Sequence, residues 1–391
     1  MHDVTPRPED ATTPEAVMAT RRERWTAWLP LILGLVLALA LLEYARTHIL
    51  IRLSDAAFGA ETKGFTDDPN LHTQCADGSD SQKCVDSFRH AGSPERTVLW
   101  FGNSQLAGIN RYKPGDVNAP ELVRRTLQQR GAYLVSYSQP NANLSEEAIL
   151  FNALAPIYRP KLLILPVCYD DIRELGIRDT VDIVRARPEV QAVLATKSYW
   201  APVAAGLKAP AKPSEPGKID TDATVQARVE SKLTQELSDH WKLWSVRQQL
   251  RGTMGFAIHG LRNKAMGIHS TSKRPVDPHV YAERLALLEG MVADARSQGI
   301  AVLLYAPPYR QDIDGPYIWP DYLKFKADLK AIADRHGARF ADIDPIVPGP
   351  EWATVTDDLF GFKEPDFMHF TAAGHKRFAA AIDAQIRAMG F

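Results

Sequence analysis

The chain has 391 residues, of which 45% are hydrophobic and 24% charged, and its formal net charge is -1. That length and apolar content support a sizeable buried core, in one large domain or two ordinary ones, and exclude a wholly disordered chain. The charge gives no general attraction to polyanions, and no basic stripe with interleaved aromatics occurs, so nucleic acid is not an expected partner.

Residues 1–24 are polar and read as a disordered cytoplasmic tail. Trp25 to Leu42 then runs without a charge, close to the roughly 20 residues that cross a bilayer. Trp25, Trp28 and Tyr44 suit membrane interfaces, and Arg21, Arg22 and Arg24 ahead of the segment predict a cytoplasmic amino end. We therefore expect a single-pass transmembrane anchor over residues 25–45 in an inner membrane, with the rest periplasmic or otherwise extracytoplasmic. A cleaved signal, processed at Ala38-Leu39-Ala40, and a soluble core helix are the competing readings.

Residues 46–95 read as an irregular connector holding Cys75 and Cys84 in the polar stretch LHTQCADGSDSQKC. A disulfide closing a small loop suits an oxidising compartment, and two free surface thiols are the alternative. No nearby Cys or His pair completes a zinc set, and Cys168, in an apolar run, reads as a small buried hydrophobe.

Strand and helix patterns alternate from residue 96 onward. Val98 to Phe101 predicts a strand, Ala119 to Gln129 a helix closed by Gly131, AYLVSYS a second strand, LSEEAILFNALAPIY a helix with Ser145 as a cap, and KLLILPVCY a third strand. After an interruption, HVYAERLALLEGMVADARSQG predicts a helix, IAVLLYAPP a fourth strand, YLKFKADLKAIADRHG a helix, ARFADID a short fifth strand, and Thr371 to Met389 a final helix. Such alternation predicts a three-layer αβα fold with a parallel, flavodoxin-like sheet of about five strands and right-handed crossovers. It divides into a first part, 96–174, and a second, 279–391. The intervening residues 175–278 are far longer than an ordinary connection and read as a mainly helical insertion with a Pro- and Lys-rich linker. Its Trp241 and Trp244 fit either core packing or sugar-stacking platforms. No GxGxxG, P-loop or HExxH motif occurs, and no cofactor or metal is expected.

Two short stretches carry the chemistry. In TVLWFGNSQ an apolar strand ends in Gly102, expected to let the backbone turn sharply, and Ser104 stands where open α/β sheets bind ligands. A serine hydroxyl is a weak nucleophile without a base. In EPDFMHFTAAGHKRF, Asp366 and His369 stand three apart just before the last helix, with Thr371 as its cap. A carboxylate there can hold one imidazole nitrogen while the other faces a serine. Taken singly, Ser104 fits a turn or cap, and Asp366 and His369 fit surface decoration. His375 competes as the base, but inside the helix it reads as a helix or surface residue.

FGNSQ resembles the first block of the SGNH/GDSL hydrolase superfamily, and DFMH resembles its last, over residues 96–171 and 279–391. The resemblance implies a Ser104–His369–Asp366 triad. With an amino-terminal anchor it is similar to the DltD-like and alginate-acetylation-like branches. These imply serine acyltransferase or esterase activity on O-acyl groups of cell-surface or exported polysaccharide. The implied partners are an acylated polysaccharide or acyl donor, the bilayer, and a membrane-bound O-acyltransferase. Against the family pattern, Asn103 replaces an Asp before the serine. CYDD stands for the third block, which puts Asp170 where an asparagine amide would hold the oxyanion. An ionised carboxylate cannot donate there. Asn141 or Asn143 then stands as the amide source, with turn formation as the alternative, and Asp170 and Asp171 as partners of Arg173. A non-catalytic scaffold or polysaccharide-binding protein of an envelope assembly, and a soluble cytoplasmic esterase, are the rival functions.

Overall fold

The computed structural model describes residues 28–44, 62–64, 71–75, 81–207, 262–357 and 362–391. The strands are β1 Thr62–Gly64, β2 Gln74–Cys75, β3 Thr97–Asn103, β4 Gly108–Asn110, β5 Tyr133–Gln139, β6 Leu162–Pro166, β7 Ala301–Ala306, β8 Arg339–Asp342, β9 Trp352–Asp357 and β10 Phe362–Phe370. Six of them form one parallel sheet in the order β2-β5-β3-β6-β7-β8. Five are the expected strands. The sixth, β2, is a two-residue edge taken from the connector, and it pairs Gln74 with Ser136 and Cys75 with Tyr137. Cys75 is joined to Cys84 by a disulfide, with Cα atoms 6.5 Å apart.

Every residue of β3 is buried, as a central strand covered on both faces requires. Its side chains alternate between two cores. Leu99 and Phe101 pack with the helices Ser81–His90, Leu144–Tyr158, Pro278–Ser297 and Trp319–Arg335. Val98 and Trp100 pack with Ala119–Gln129 and Ala372–Ala388 on the opposite face. Trp100 is fully buried, edge-on to Tyr305 and Phe378, and its indole N–H donates to the Tyr305 hydroxyl at 3.0 Å. Truncating a ring so placed costs about 3–5 kcal/mol.

From β3 the chain passes to β5 on one side, and then over to β6, β7 and β8 on the other. Right-handed crossovers that reverse direction must put their helices on opposite faces, which is the layering observed. The reversal opens a crevice at the carboxyl end of β3, the place where such sheets bind ligands.

Helix starts follow local chemistry. Asn143 caps Leu144–Tyr158, accepting from the Ser145 and Glu146 N–H groups, and Glu146 returns a bond in a capping box. Ser145, the expected cap, lies inside the helix, where its hydroxyl accepts from Arg284. Thr371 holds the N-cap position of the final helix, with no side-chain cap bond.

The first part of the insertion packs with the body. The helices Asp179–Arg185, Pro188–Ala195 and Ala201–Gly206 bring Val181, Val184, Val190, Leu194 and Val203 into the same core as Leu99. Trp241, Trp244 and most of the linker lie outside the described residues.

The anchor expected over residues 25–45 lies only partly within the described residues. Among the described residues no helix is long and apolar enough to cross a membrane. Residues 25–27 and 45 lie outside the described residues.

Candidate active site

Ser104 opens the short helix Ser104–Ala107 directly after β3. Gly102, just before it, is a strand residue rather than a sharp turn; what it provides is room. A Cβ at position 102 would come within 2.9 Å of Leu106 Cδ2, so a side chain there would push on the helix that bears the serine. Asn103 caps that helix, its Oδ1 accepting from the Gln105 N–H at 3.0 Å. Its Nδ2 donates to Asp171 Oδ1 at 3.2 Å and faces Cys168 Sγ at 3.1 Å.

Asp366 and His369 lie on β10, which pairs antiparallel with β9. On a regular strand, positions three apart face opposite ways. The ladder here is irregular between Pro365 and Phe370, and this bulge turns both side chains to one site. Asp366 Oδ1 accepts the N–H groups of Met368 at 2.8 Å and His369 at 2.9 Å, tightening the same bulge.

These elements bring the three residues together across 265 positions of chain. His369 Nε2 lies 3.0 Å from Ser104 Oγ, and His369 Nδ1 lies 3.1 Å from Asp366 Oδ2. Asn110, at the end of β4, donates to Asp366 Oδ2 at 2.8 Å. Burial alone would raise the Asp366 carboxyl, but attraction to His369 and the bonds from His369 and Met368 outweigh it and hold the group below its ordinary value. An ionised Asp366 can only accept, so His369 Nδ1 carries the proton and Nε2 is left to accept from the serine hydroxyl. Ser104 is 6% exposed.

The other expected site residues take different places. Asn141 is exposed, at a left-handed φ of 53°, as the turn-forming reading has it. Asn143 is buried and committed to its cap, with Nδ2 donating to the Gly176 carbonyl at 3.0 Å. Asp170 accepts from Arg173 at 2.9 Å, Arg274 at 3.2 Å and the Tyr317 hydroxyl at 3.1 Å. The Asn143 amide and the Asp170 carboxylate are thus committed to partners other than Ser104.

His375 is not on the surface; it is fully buried in the final helix. Its Nε2 lies 2.9 Å from the Gly108 carbonyl, and its Nδ1 accepts from the Ala119 N–H at 3.1 Å. Desolvation pushes its pKa down to about 4, against the bond to Gly108, which raises it. A neutral imidazole there ties the start of β4 to two helices. Cys168 is buried and free, and burial raises its thiol well above the ordinary value. Among the described residues no group of His, Cys, Asp or Glu could hold a metal ion.

No family model and no curated relative matches the chain. Similar solved structures include a lipase/acylhydrolase from Enterococcus faecalis, at 12% identity and a TM-score of 0.36, covering 75% of this chain and 96% of that one. Another is a catalytic mutant of an acetylxylan esterase from Geobacillus stearothermophilus, at 12% identity and a TM-score of 0.37, covering 74% of this chain and 94% of that one. Likeness at these levels transfers no activity.

Proposed function

We propose that this chain is an SGNH-type serine acyltransferase or esterase, acting on O-acyl groups of a cell-surface or exported polysaccharide. One observation carries the reading: Ser104 Oγ, His369 Nε2, His369 Nδ1 and Asp366 Oδ2 stand in one hydrogen-bonded series at 3.0 and 3.1 Å. As Ser104 Oγ bonds to the ester carbonyl carbon, its proton passes to His369 Nε2. Asp366 stabilises the imidazolium that forms. Collapse of the tetrahedral intermediate breaks the ester C–O bond, and the leaving alkoxide takes the proton from Nε2. A polysaccharide hydroxyl or water then gives its proton to Nε2 and receives the acyl group from Ser104 by the same steps in reverse.

The polymer target and a membrane-bound O-acyltransferase partner rest on the resemblance of the anchored architecture, an amino-terminal apolar segment ahead of the FGNSQ and DFMH blocks. Anchoring at the inner membrane, with an extracytoplasmic body, rests on the apolar run at 25–42 and the arginines ahead of it. The exposed side chains of Leu29, Leu31, Leu33, Leu35 and Leu37 support it, since apolar side chains spread around a helix seek an apolar surrounding. The Cys75–Cys84 bond agrees with an oxidising compartment.

A fluorophosphonate probe tests the proposal. The full chain should be labelled, and Ser104→Ala should abolish labelling; an unlabelled wild-type protein would leave the scaffold reading in its place. Surface ester content then separates the two activities. Loss in Ser104→Ala indicates transfer, and accumulation indicates hydrolysis.

A further inference from the structure

Asp171 is buried close behind the nucleophile, and no cation accompanies it. Among the described residues no Lys, Arg or His bonds to it, for Arg173 and Arg274 both pair with its neighbour Asp170. From the helix Pro278–Ser297, the buried Arg284 turns to Ser145 and Glu283 instead. Two N–H donors hold the carboxylate: Cys168 gives its backbone N–H to Oδ2 at 2.9 Å, and Asn103 gives Nδ2 to Oδ1 at 3.2 Å.

The other titratable groups within electrostatic reach are Glu147 on the helix Leu144–Tyr158, Tyr305 on β7, and Cys168 and Asp170 on its own segment. Burial holds the Glu147 carboxyl, the Cys168 thiol and the Tyr305 hydroxyl well above their ordinary values, so none of these three brings a charge. A buried carboxylate without a counter-charge costs stability, and its place beside a reactive serine calls for a use.

That use runs through Asn103. Its Oδ1 fixes the turn into Ser104 by accepting from the Gln105 N–H at 3.0 Å, and its Nδ2 faces only Asp171 and Cys168 Sγ. Gln139, which pairs in register with Asn103 on β5, has a side-chain amide bonded to nothing. Asp171 is therefore the one oxygen that anchors the far side of this amide, one peptide away from the nucleophile.

We infer that Asp171 is a positioning residue for Ser104: as a carboxylate it draws on the Asn103 amide, and through that amide it sets the turn that presents the hydroxyl to His369. The inference rests on reading Ser104 as the nucleophile. Protonation of Asp171 leaves one oxygen a hydroxyl, a poorer acceptor for one of the two N–H groups. Burial pushes this group up to about 7, so that loss adds to the acid limb expected of any histidine base. It also accounts for two departures from the family pattern together, because an asparagine at 103 supplies the donor that a carboxylate at 171 requires.

The test is the pH dependence of p-nitrophenyl acetate hydrolysis by the full chain, alongside fluorophosphonate labelling and melting temperature. Wild type should lose activity more steeply than a single proton allows as pH falls below about 7. Asp171→Asn should lower kcat by about 10- to 100-fold with KM little changed, and its acid limb should have a slope of one. Asn103→Asp sets two carboxylates together and should lower kcat at least as far. The double variant Asn103→Asp/Asp171→Asn exchanges donor and acceptor while keeping the cap on Gln105, and it should recover about tenfold or more of the loss. Labelled wild-type protein whose acid limb has a slope of one overturns the positioning role. So does a double variant no better than Asp171→Asn, or an Asp171→Asn chain that melts lower but keeps its kcat per labelled serine. A wild-type chain neither labelled nor active overturns the parent reading, and this inference with it.

Discussion

An aspartate at position 103 would set its carboxylate against that of Asp171, whereas the asparagine present donates to it at 3.2 Å. The two positions depend on each other. Burial pushes Asp171 up to about 7, against the bonds from the Cys168 N–H and Asn103 that lower it. The native state therefore holds this proton more tightly than the unfolded chain, and the contribution to stability falls as pH rises from about 4 to about 7. His375 works in the other direction. Its pKa drops from 6.5 to about 4, so its burial costs stability as pH falls through that window, by about 3 kcal/mol in all. Urea unfolding at several pH values should separate them. Asp171→Asn should gain on wild type as pH rises from 4 to 7, while His375→Gln should lose the climb between 4 and 6.5. For chemistry, Asp366→Asn leaves the site's shape but removes the acceptor that fixes the His369 tautomer. We expect kcat to fall by ~10⁴-fold with KM little changed, read by steady-state ester turnover.

Periodicity made the main elements legible. The buried run at Thr97–Asn103 and the helices at 119–129 and 144–158 stand where apolar spacing and Gly131 put them, although Asn143 rather than Ser145 caps the second helix. The conjunction of Ser104 with Asp366 and His369 was also readable, as residue types in chain order. What brings Asp366 and His369 to one side was not, because a bulge arises from pairing with β9 and leaves no local mark. Asn110, which holds Asp366, gave no signal either: its role depends on β4 passing β10. The opposite error concerns Asn143, whose two-sided amide suits an oxyanion on paper, yet the backbone of its own helix claims it. The loop at 307–317 offers a direct check on packing at this scale. Gly315→Ala should cost about 1–3 kcal/mol, seen as a lower melting temperature, because the added methyl meets Tyr309 at 1.8 Å.

At the scale of the molecule, the strand order β2-β5-β3-β6-β7-β8 explains why a serine after a central strand can meet residues 265 positions later. The switch point sits at β3, and the last strand pair and helix close over the same edge. The membrane proposal also belongs here. Full-length protein should sediment with membranes and be released by detergent, and a chain lacking residues 1–45 should stay in the supernatant; equal partitioning of both would dispose of the anchor.

The edge strand β2 pairs with β5 through two residues, Gln74 bonds to Asn118 at 2.7 Å, the Thr73 carbonyl accepts from the Ser136 N–H at 2.7 Å, and the Cys75–Cys84 link ties the strand to the following helix. Closing so short a loop contributes about 2–3 kcal/mol. Without the link β2 would leave β5 more often, and each time it did the β5 edge would offer backbone donors and acceptors to a passing chain. Production in a reducing cytosol should therefore yield self-associating material, and secretion through an oxidising route should yield dispersed protein.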